Sequence, residues 1–125
     1  MEAKLNRTAF EQGDEAALEL SSRRPAWVYV FNLMANDKAA LLLPNRWQPD
    51  NRLQGGGRTL RFPGKDCGVC LEMAPLPGDP ESAEAFLVVA FPKETSLAER
   101  FDVGHAYELT EFYRRLTAFP WKPRP

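Results

Sequence analysis

Two cysteines three positions apart, Cys67 and Cys70, are the first feature of this 125-residue chain that suggests chemistry. A structural zinc site needs four ligands, and the chain contains only these two cysteines and one histidine. Residues three apart on a regular strand point to opposite faces, so a disulfide would need a turn at Gly68-Val69. We therefore interpret the pair as two ordinary thiols, and we expect neither a metal nor a cofactor.

A small hydrolase in which His105 activates Cys67 or Cys70 is the catalytic alternative. The neighbours of His105, Gly104 and Ala106, carry no catalytic signature, and the sequence identifies no acid that would orient the ring. We expect His105 at the surface or at the start of a helix. The sequence therefore predicts no catalytic residue and a role other than that of an enzyme.

The segment Pro44–Gly57 is rich in turn-forming residues and is the most promising place for binding. Long irregular loops in compact domains often carry function. Trp47 either closes over the core as a lid, which is the interpretation we favour, or projects as a recognition side chain. The candidate binding surface consists of Asn45, Arg46, Trp47, Asn51 and Arg52.

Aromatic and basic side chains suggest two further binding arrangements. Trp47, Tyr107 and Trp121 would together form a platform for a sugar or a peptide, although aromatic residues of a small domain more often belong to its core. Arg58 and Arg61 are three apart on a predicted strand and should face opposite ways, which argues against a two-arginine anion clamp. A carbohydrate-binding or cell-wall-binding module is therefore our second hypothesis.

Charge is distributed unevenly along the chain, although the formal net charge is only -1. Between positions 44 and 66 there are five cations and two carboxylates, whereas residues 72–99 carry six carboxylates and one lysine. The overall balance excludes a nucleic-acid binder that relies on bulk electrostatics. Most such charges are solvated surface, and the alternative is that the basic segment meets an acidic partner.

Alternation of apolar and polar residues predicts six or seven short strands separated by turn signals, a spacing typical of an antiparallel sandwich. The segment Trp27–Leu33 is apolar on both faces and should be a central strand. The other predicted strands are residues 15–22, Ala39–Leu43, Arg58–Pro63, Cys67–Ala74 and Glu84–Phe91.

The last thirty residues change character. Ser96 followed by Glu99 fits a capping box at the start of a helical turn. Leu109, Phe112, Tyr113 and Leu116 recur at helical spacing, which predicts an amphipathic helix over roughly residues 106–117, packed on the sheet or over one open end. We expect an extended tail over residues 118–125, and we treat the chain as one domain.

Four short motifs, in order along residues 10–92, carry a resemblance. They are Phe10-x-x-Gly13-Asp14, Tyr29-Val30-Phe31-Asn32, Leu42-Leu43-Pro44-Asn45 and Asn51-x-Leu53-x-x-Gly56. In this order they are similar to the bacterial family known as domain of unknown function 4384. Two departures are Leu43, where the family usually has phenylalanine, and Asn36-Asp37-Lys38, where it usually has an Asp-Gly turn.

The resemblance implies an immunoglobulin-like β-sandwich, a type of module common in bacterial envelope proteins, and it supplies no catalytic residues. No apolar run approaches the length of a membrane span. We expect a non-catalytic accessory domain that contacts another protein through an edge strand or the Pro44–Gly57 segment. It would lie in the envelope if a leader was trimmed before Met1, and in the cytoplasm otherwise.

Overall fold

The computed structural model describes residues 1–6, 15–64 and 85–119, together with the backbone of Leu71–Glu72. These residues contain ten strands, one 3₁₀ turn at Leu97–Arg100 and one helix, α1, at Leu109–Thr117. The strands are β1 Glu2–Leu5, β2 Glu15–Ala16, β3 Leu18–Ser21, β4 Ala26–Leu33, β5 Lys38–Leu43, β6 Arg52–Leu53, β7 Leu60–Phe62, β8 Leu71–Glu72, β9 Ala85–Phe91 and β10 Tyr107–Glu108.

The strands form two main sheets, and every described pairing is antiparallel. In the central sheet β10 pairs with β5, and β5 and β6 pair with different parts of the same edge of β4. β9 pairs with the other edge of β4. The second sheet has the order β1-β3-β7. β2 and β8 form a separate two-stranded pair. The mainly β, sandwich-like architecture predicted from sequence is therefore confirmed. Strands outnumber the predicted six or seven because several are only two residues long, too short to show alternation.

The central strand β4 explains why there are two hydrophobic cores. Its side chains alternate between the two faces of the sheet, and both faces are covered. Val28 and Val30 face the second sheet and pack with Leu18, Leu20 and Phe62. The opposite face carries the β4 residues Tyr29 and Phe31, which pack against the C-terminal segment.

The C-terminal segment, residues 95–119, forms a third layer over the central sheet. Phe112 of α1 lies 5.3 Å from the ring of Phe31 and 5.6 Å from that of Phe101, measured between ring centroids. Leu97 and Phe119 belong to the same buried cluster. The predicted amphipathic helix is thus present and packed on the sheet. Phe119, the second residue of the predicted tail, lies in the core, and residues 120–125 of that tail lie outside the described residues.

The helix begins at Leu109, three residues later than predicted. Tyr107 and Glu108 are extended because they pair with Ala39 and Lys38 at the edge of β5. The backbone amide of Leu109 then donates to the carbonyl of Asp37, 3.1 Å away. Edge pairing with a strand distant in sequence overrides the helical spacing here. Tyr113, which the helical spacing places on the apolar stripe, is 54% exposed.

The helical turn predicted after Ser96 is present, but the capping box is wrong. Ser96 makes no side-chain hydrogen bond as the N-cap of this turn. The side chain that binds a backbone amide here is that of the preceding Thr95, whose Oγ1 accepts from Leu97 N at 3.3 Å. Thr95 is held in place because Tyr29 Oη donates to its carbonyl at 3.1 Å and accepts from its hydroxyl at 3.0 Å.

Candidate functional site

The predicted loop Pro44–Gly57 is not a single irregular loop. Leu43 lies opposite Val30 of β4, and β6 lies opposite Ala26 and Trp27 on the same edge. The chain therefore leaves the edge of β4 after Leu43 and returns to it about seven residues later. Residues 44–50, which we name the excursion, project between two short strands that would otherwise be continuous.

Asn45 holds the excursion in shape. Its Oδ1 accepts hydrogen bonds from the backbone amides of Trp47 and Gln48, each at 2.8 Å. Its Nδ2 donates to the carbonyl of Leu42 at 2.8 Å. A side chain with both polar atoms engaged in this way stabilises a turn. Asn45, predicted as a binding residue, thus also has a structural role.

Gln48 ties the excursion to the second sheet, a role that sequence reasoning missed. Its Nε2 donates to the carbonyl of Arg61 at 2.9 Å, and its Oε1 accepts from the amide of Gly64 at 3.0 Å. Gln48 lies in no pattern, so the sequence carried no signal for this contact. The excursion is therefore fixed to both sheets.

Asn51 closes the excursion against β4. Its Nδ2 donates to the carbonyl of Val28, and its own carbonyl accepts from the amide of Val28, both at 2.9 Å. Asn51, like Asn45, therefore helps to hold the excursion in position, and its role in binding stays a prediction. Arg52, the next residue, is exposed, and its guanidinium lies 5.2 Å from the ring centroid of Trp27.

Arg46 and Trp47 are the exposed pair at the tip of the excursion. Trp47 is 51% exposed, so its interpretation as a lid on the core is wrong and the recognition alternative remains. The guanidinium of Arg46 lies 4.7 Å from the Trp47 ring centroid, within the range of a cation–π contact. The aromatic ring is left at the surface because the side chains of Asn45 and Gln48 set the path of the backbone around it.

Four exposed arginines lie on the excursion, β6, the turn after β6 and β7, and we name them the arginine edge: Arg46, Arg52, Arg58 and Arg61. Gln48 shows that the excursion and β7 are neighbours at this edge. The described residues form ion pairs elsewhere, at Lys38–Glu108 and where Arg114 and Arg115 contact Glu111. Two carboxylates lie close to these arginines: Glu19 is opposite Arg61 by strand register, and Asp50 Oδ1 accepts from the backbone amide of Arg52 at 3.1 Å.

The aromatic platform is wrong at Tyr107. Tyr107 is only 5% exposed and belongs to the core beneath α1, where its Oη accepts from the amide of Asp102. His105 is exposed, as predicted, with its ring 4.5 Å from that of Tyr107. Cys67, Cys70 and Trp121 lie outside the described residues. Among the residues that the structure describes, no group of histidine, cysteine and acidic side chains could hold a metal.

An open cleft of about 640 Å³ lies away from the excursion, at the end of the central sheet where β4 begins and β9 ends. Its lining includes Arg23, Arg24 and Pro25 on one side, and Ala90 and Phe91 on the other. Sequence analysis did not single out this cleft, because its walls come from Met1 and from two further segments that are far apart in the chain.

In the turn after β6, Gly55 has no space for a side chain. Gly55 has φ +86°, and an added Cβ would lie 2.9 Å from the nitrogen of Pro25. Gly56 has φ +65° and open space around its Cα. We expect Gly56→Ala to lower the free energy of unfolding by about 1–2 kcal/mol, through the left-handed backbone alone, and Gly55→Ala to lower it further because of the clash. Urea denaturation of both variants measures the difference, and equal losses would contradict it.

Comparison with known protein families identifies the family of this chain. The family model described as domain of unknown function DUF4384 matches residues 9–94. The chain belongs to this family. No curated protein and no solved structure matches it. The matched region contains both the excursion and the central strand, whereas Thr95 and the C-terminal layer follow it. Among the described residues, no helix is long and apolar enough to span a membrane.

Proposed function

We propose that this DUF4384 chain is a non-catalytic accessory domain that binds an acidic segment of another protein through Trp47 and the arginine edge. The observation that carries the proposal is the exposed Arg46–Trp47 pair on a backbone held by Asn45, Gln48 and Asn51. We further propose, from the resemblance alone, that the protein works in the bacterial envelope.

The chemistry of the excursion tip suits protein recognition. Tryptophan and arginine are enriched among the residues that dominate binding energy at protein interfaces. The side chain of Trp47 has only two torsions to fix, and the excursion is already tied to both sheets. Binding therefore requires little additional ordering of the loop, and most of the contact energy is retained.

Electrostatics favours an acidic partner over a neutral one. The arginine edge concentrates positive charge on a protein whose net charge is only -1. Such local concentration steers an oppositely charged partner and sets its orientation, and the effect weakens as salt rises. Binding should therefore combine a salt-sensitive association rate with an aromatic contact that depends on Trp47.

The test compares Trp47→Ala with Tyr113→Ala, since both remove an aromatic ring that is about half exposed. The probe is a fluorescein-labelled peptide rich in aspartate and glutamate with one central phenylalanine, followed by fluorescence anisotropy. We expect Trp47→Ala to weaken binding about 10-fold or more, the size of an interface hot spot. We expect Tyr113→Ala to bind normally, and we expect both variants to unfold within about 0.5 kcal/mol of the parent.

Two outcomes would contradict the proposal. Equal peptide binding by the parent and the Trp47→Ala variant would remove Trp47 from the surface. Binding of soluble peptidoglycan fragments that is lost in Trp47→Ala and unaffected by salt would favour the carbohydrate-binding alternative. Substitution of Arg46 and Arg61 by glutamine separates the two, because only an acidic partner should lose affinity for that variant.

A further inference from the structure

The cleft at the start of β4 is lined by residues of both sheets, at one end of the sandwich. Ala26 and Ala90 belong to the central sheet, and Ser22 directly follows the last residue of β3. Phe91 also lies in the wall, but its ring packs on Tyr29 and belongs to the core under the C-terminal layer. The cleft is therefore separate from that core and from the excursion.

Two prolines open this end of the central sheet. Pairing between β4 and β9 ends at Trp27, which lies opposite Phe91. Pro25 directly precedes β4, and Pro92 directly follows β9. Proline has no backbone N–H, so neither residue can donate a hydrogen bond that would extend the ladder. The two chain segments therefore separate beyond the last pair, and both prolines line the gap between them.

The cleft lies on segments that the structure describes throughout. The segments that it does not describe join the rest of the chain at the opposite end of the sandwich, next to Asn6, Glu15, Gly64 and Ala85 and on both sides of β8. Residues 120–125 follow Phe119, which packs on the other face of the central sheet. The walls named above thus have described neighbours along the chain.

The wall that carries Arg23 and Arg24 is held in place by the turn after β6. The carbonyl of Ser22 accepts from the amide of Gly57 at 3.0 Å. The carbonyl of Arg23 accepts from the amide of Gly56 at 2.9 Å. Ser22 Oγ donates to the carbonyl of Arg24. The backbone that presents both guanidinium groups is therefore fixed, and a ligand would meet a wall that needs little additional ordering.

The charge of this wall favours an anion. Arg23 and Arg24 are both exposed, and the ion pairs among described residues lie elsewhere, at Lys38–Glu108 and on α1. Two neighbouring cations repel each other, and an anion within reach of both relieves this repulsion. A guanidinium group also binds a carboxylate or a phosphate through two parallel hydrogen bonds.

The rest of the cleft is mainly apolar, since Ala26, Ala90 and Pro92 bring no charge or polar side chain. Small-molecule sites of about 300–1,000 Å³ typically combine such apolar surface with a few polar groups, and this cleft has a volume of about 640 Å³. We propose that it binds a small amphiphilic anion. The carboxylate or phosphate of the ligand contacts the two arginines, and its apolar body lies against the alanines and Pro92.

NMR spectroscopy of the isotope-labelled full chain tests this site, with octanoate and octyl phosphate as the probes. We expect the backbone amide signals that shift to be those of residues 22–26 and 90–93, and the tighter of the two probes identifies the preferred head group. Octanol and inorganic phosphate each supply one half of the ligand. Each should bind about 10-fold more weakly than octyl phosphate or worse, because the charged hydrogen bonds or the apolar contacts are missing.

Two double variants with the same change in net charge test the arginines. Arg23→Gln combined with Arg24→Gln should raise the dissociation constant of the tighter probe about 10-fold or more, because hydrogen bonds between charged groups are lost. Arg46→Gln combined with Arg61→Gln should change it by less than about 2-fold, since exposed charges elsewhere are screened by salt. The second variant is the one that weakens binding of the acidic peptide, so this site and the proposed function are tested independently.

A steric variant tests the apolar wall. Ala90 lies opposite Val28, whose side chain faces the second sheet, so both share the face on which the cleft opens. Ala90→Trp should fill the cleft and abolish binding of both probes. Ala85→Trp adds the same ring to an exposed alanine at the other end of β9 and should bind like the parent. Circular dichroism verifies that all variants fold.

Four results would overturn the proposal. The first is that neither octanoate nor octyl phosphate shifts a signal at about 1 mM, the weakest affinity expected of a specific site. The second is that the shifted signals belong to other parts of the chain. The third is that the parent and the variant without Arg23 and Arg24 bind equally well. The fourth is that inorganic phosphate binds as tightly as octyl phosphate, which would indicate a simple anion site.

Discussion

Removal of residues 95–125 is expected to abolish cooperative folding of the chain, even though the family match ends at residue 94. The apolar face of β4 that carries Tyr29 and Phe31 is covered by the C-terminal layer, whose buried members include Leu97, Phe101 and Phe112. Without this layer a large apolar surface would be exposed to water, and each Å² of it would cost about 25 cal/mol. We expect the total cost to exceed the free energy of unfolding of a small domain, which is about 5–15 kcal/mol.

Thermal unfolding followed by circular dichroism measures this result. The matched control is a deletion of residues 1–5, which removes a whole strand, β1, whose residues are all exposed. We expect the control to keep a single cooperative transition and the C-terminal deletion to show none, with binding of a hydrophobic dye at room temperature. A cooperative transition of the fragment 1–94 would show that the matched region folds alone.

Phe112→Ala should lower the free energy of unfolding by about 3–5 kcal/mol, the usual loss for a buried phenylalanine. Its ring is 1% exposed and packs edge-on against Phe31 at 5.3 Å. α1 is too short to be stable by itself, so its attachment depends on this contact. Chemical denaturation gives the value directly.

The adjacent residue provides the control for Phe112. Tyr113 lies on the same helix and is 54% exposed, so Tyr113→Ala should change the free energy of unfolding by less than about 0.5 kcal/mol. Equal losses at the two positions would mean that α1 is stabilised by its own helix propensity and not by packing on the central sheet.

Contacts between distant segments decided the features that sequence reasoning missed. Asn45 and Asn51 have the composition of a polar recognition loop, yet both spend their hydrogen bonds on backbone groups. Gln48 reaches a strand thirteen residues away. Tyr107 suits an aromatic platform, but its pairing with Ala39 places it in the core. Only the partners of Asn45 are local, two or three residues away. The partners of Asn51, Gln48 and Tyr107 are distant in sequence, and a local pattern contains no information about them.

The amino-acid sequence by itself determined the antiparallel β class, the central position of β4 and the family, because alternation and ordered short motifs are local properties. It also indicated a helix near the C-terminus, since apolar spacing reports which side chains share a face. Only the tertiary structure decided that this helix closes the second face of the sheet and that Trp47 projects outward. Those outcomes depend on which distant strands meet, and pairing between distant strands is governed by the packing of the whole chain.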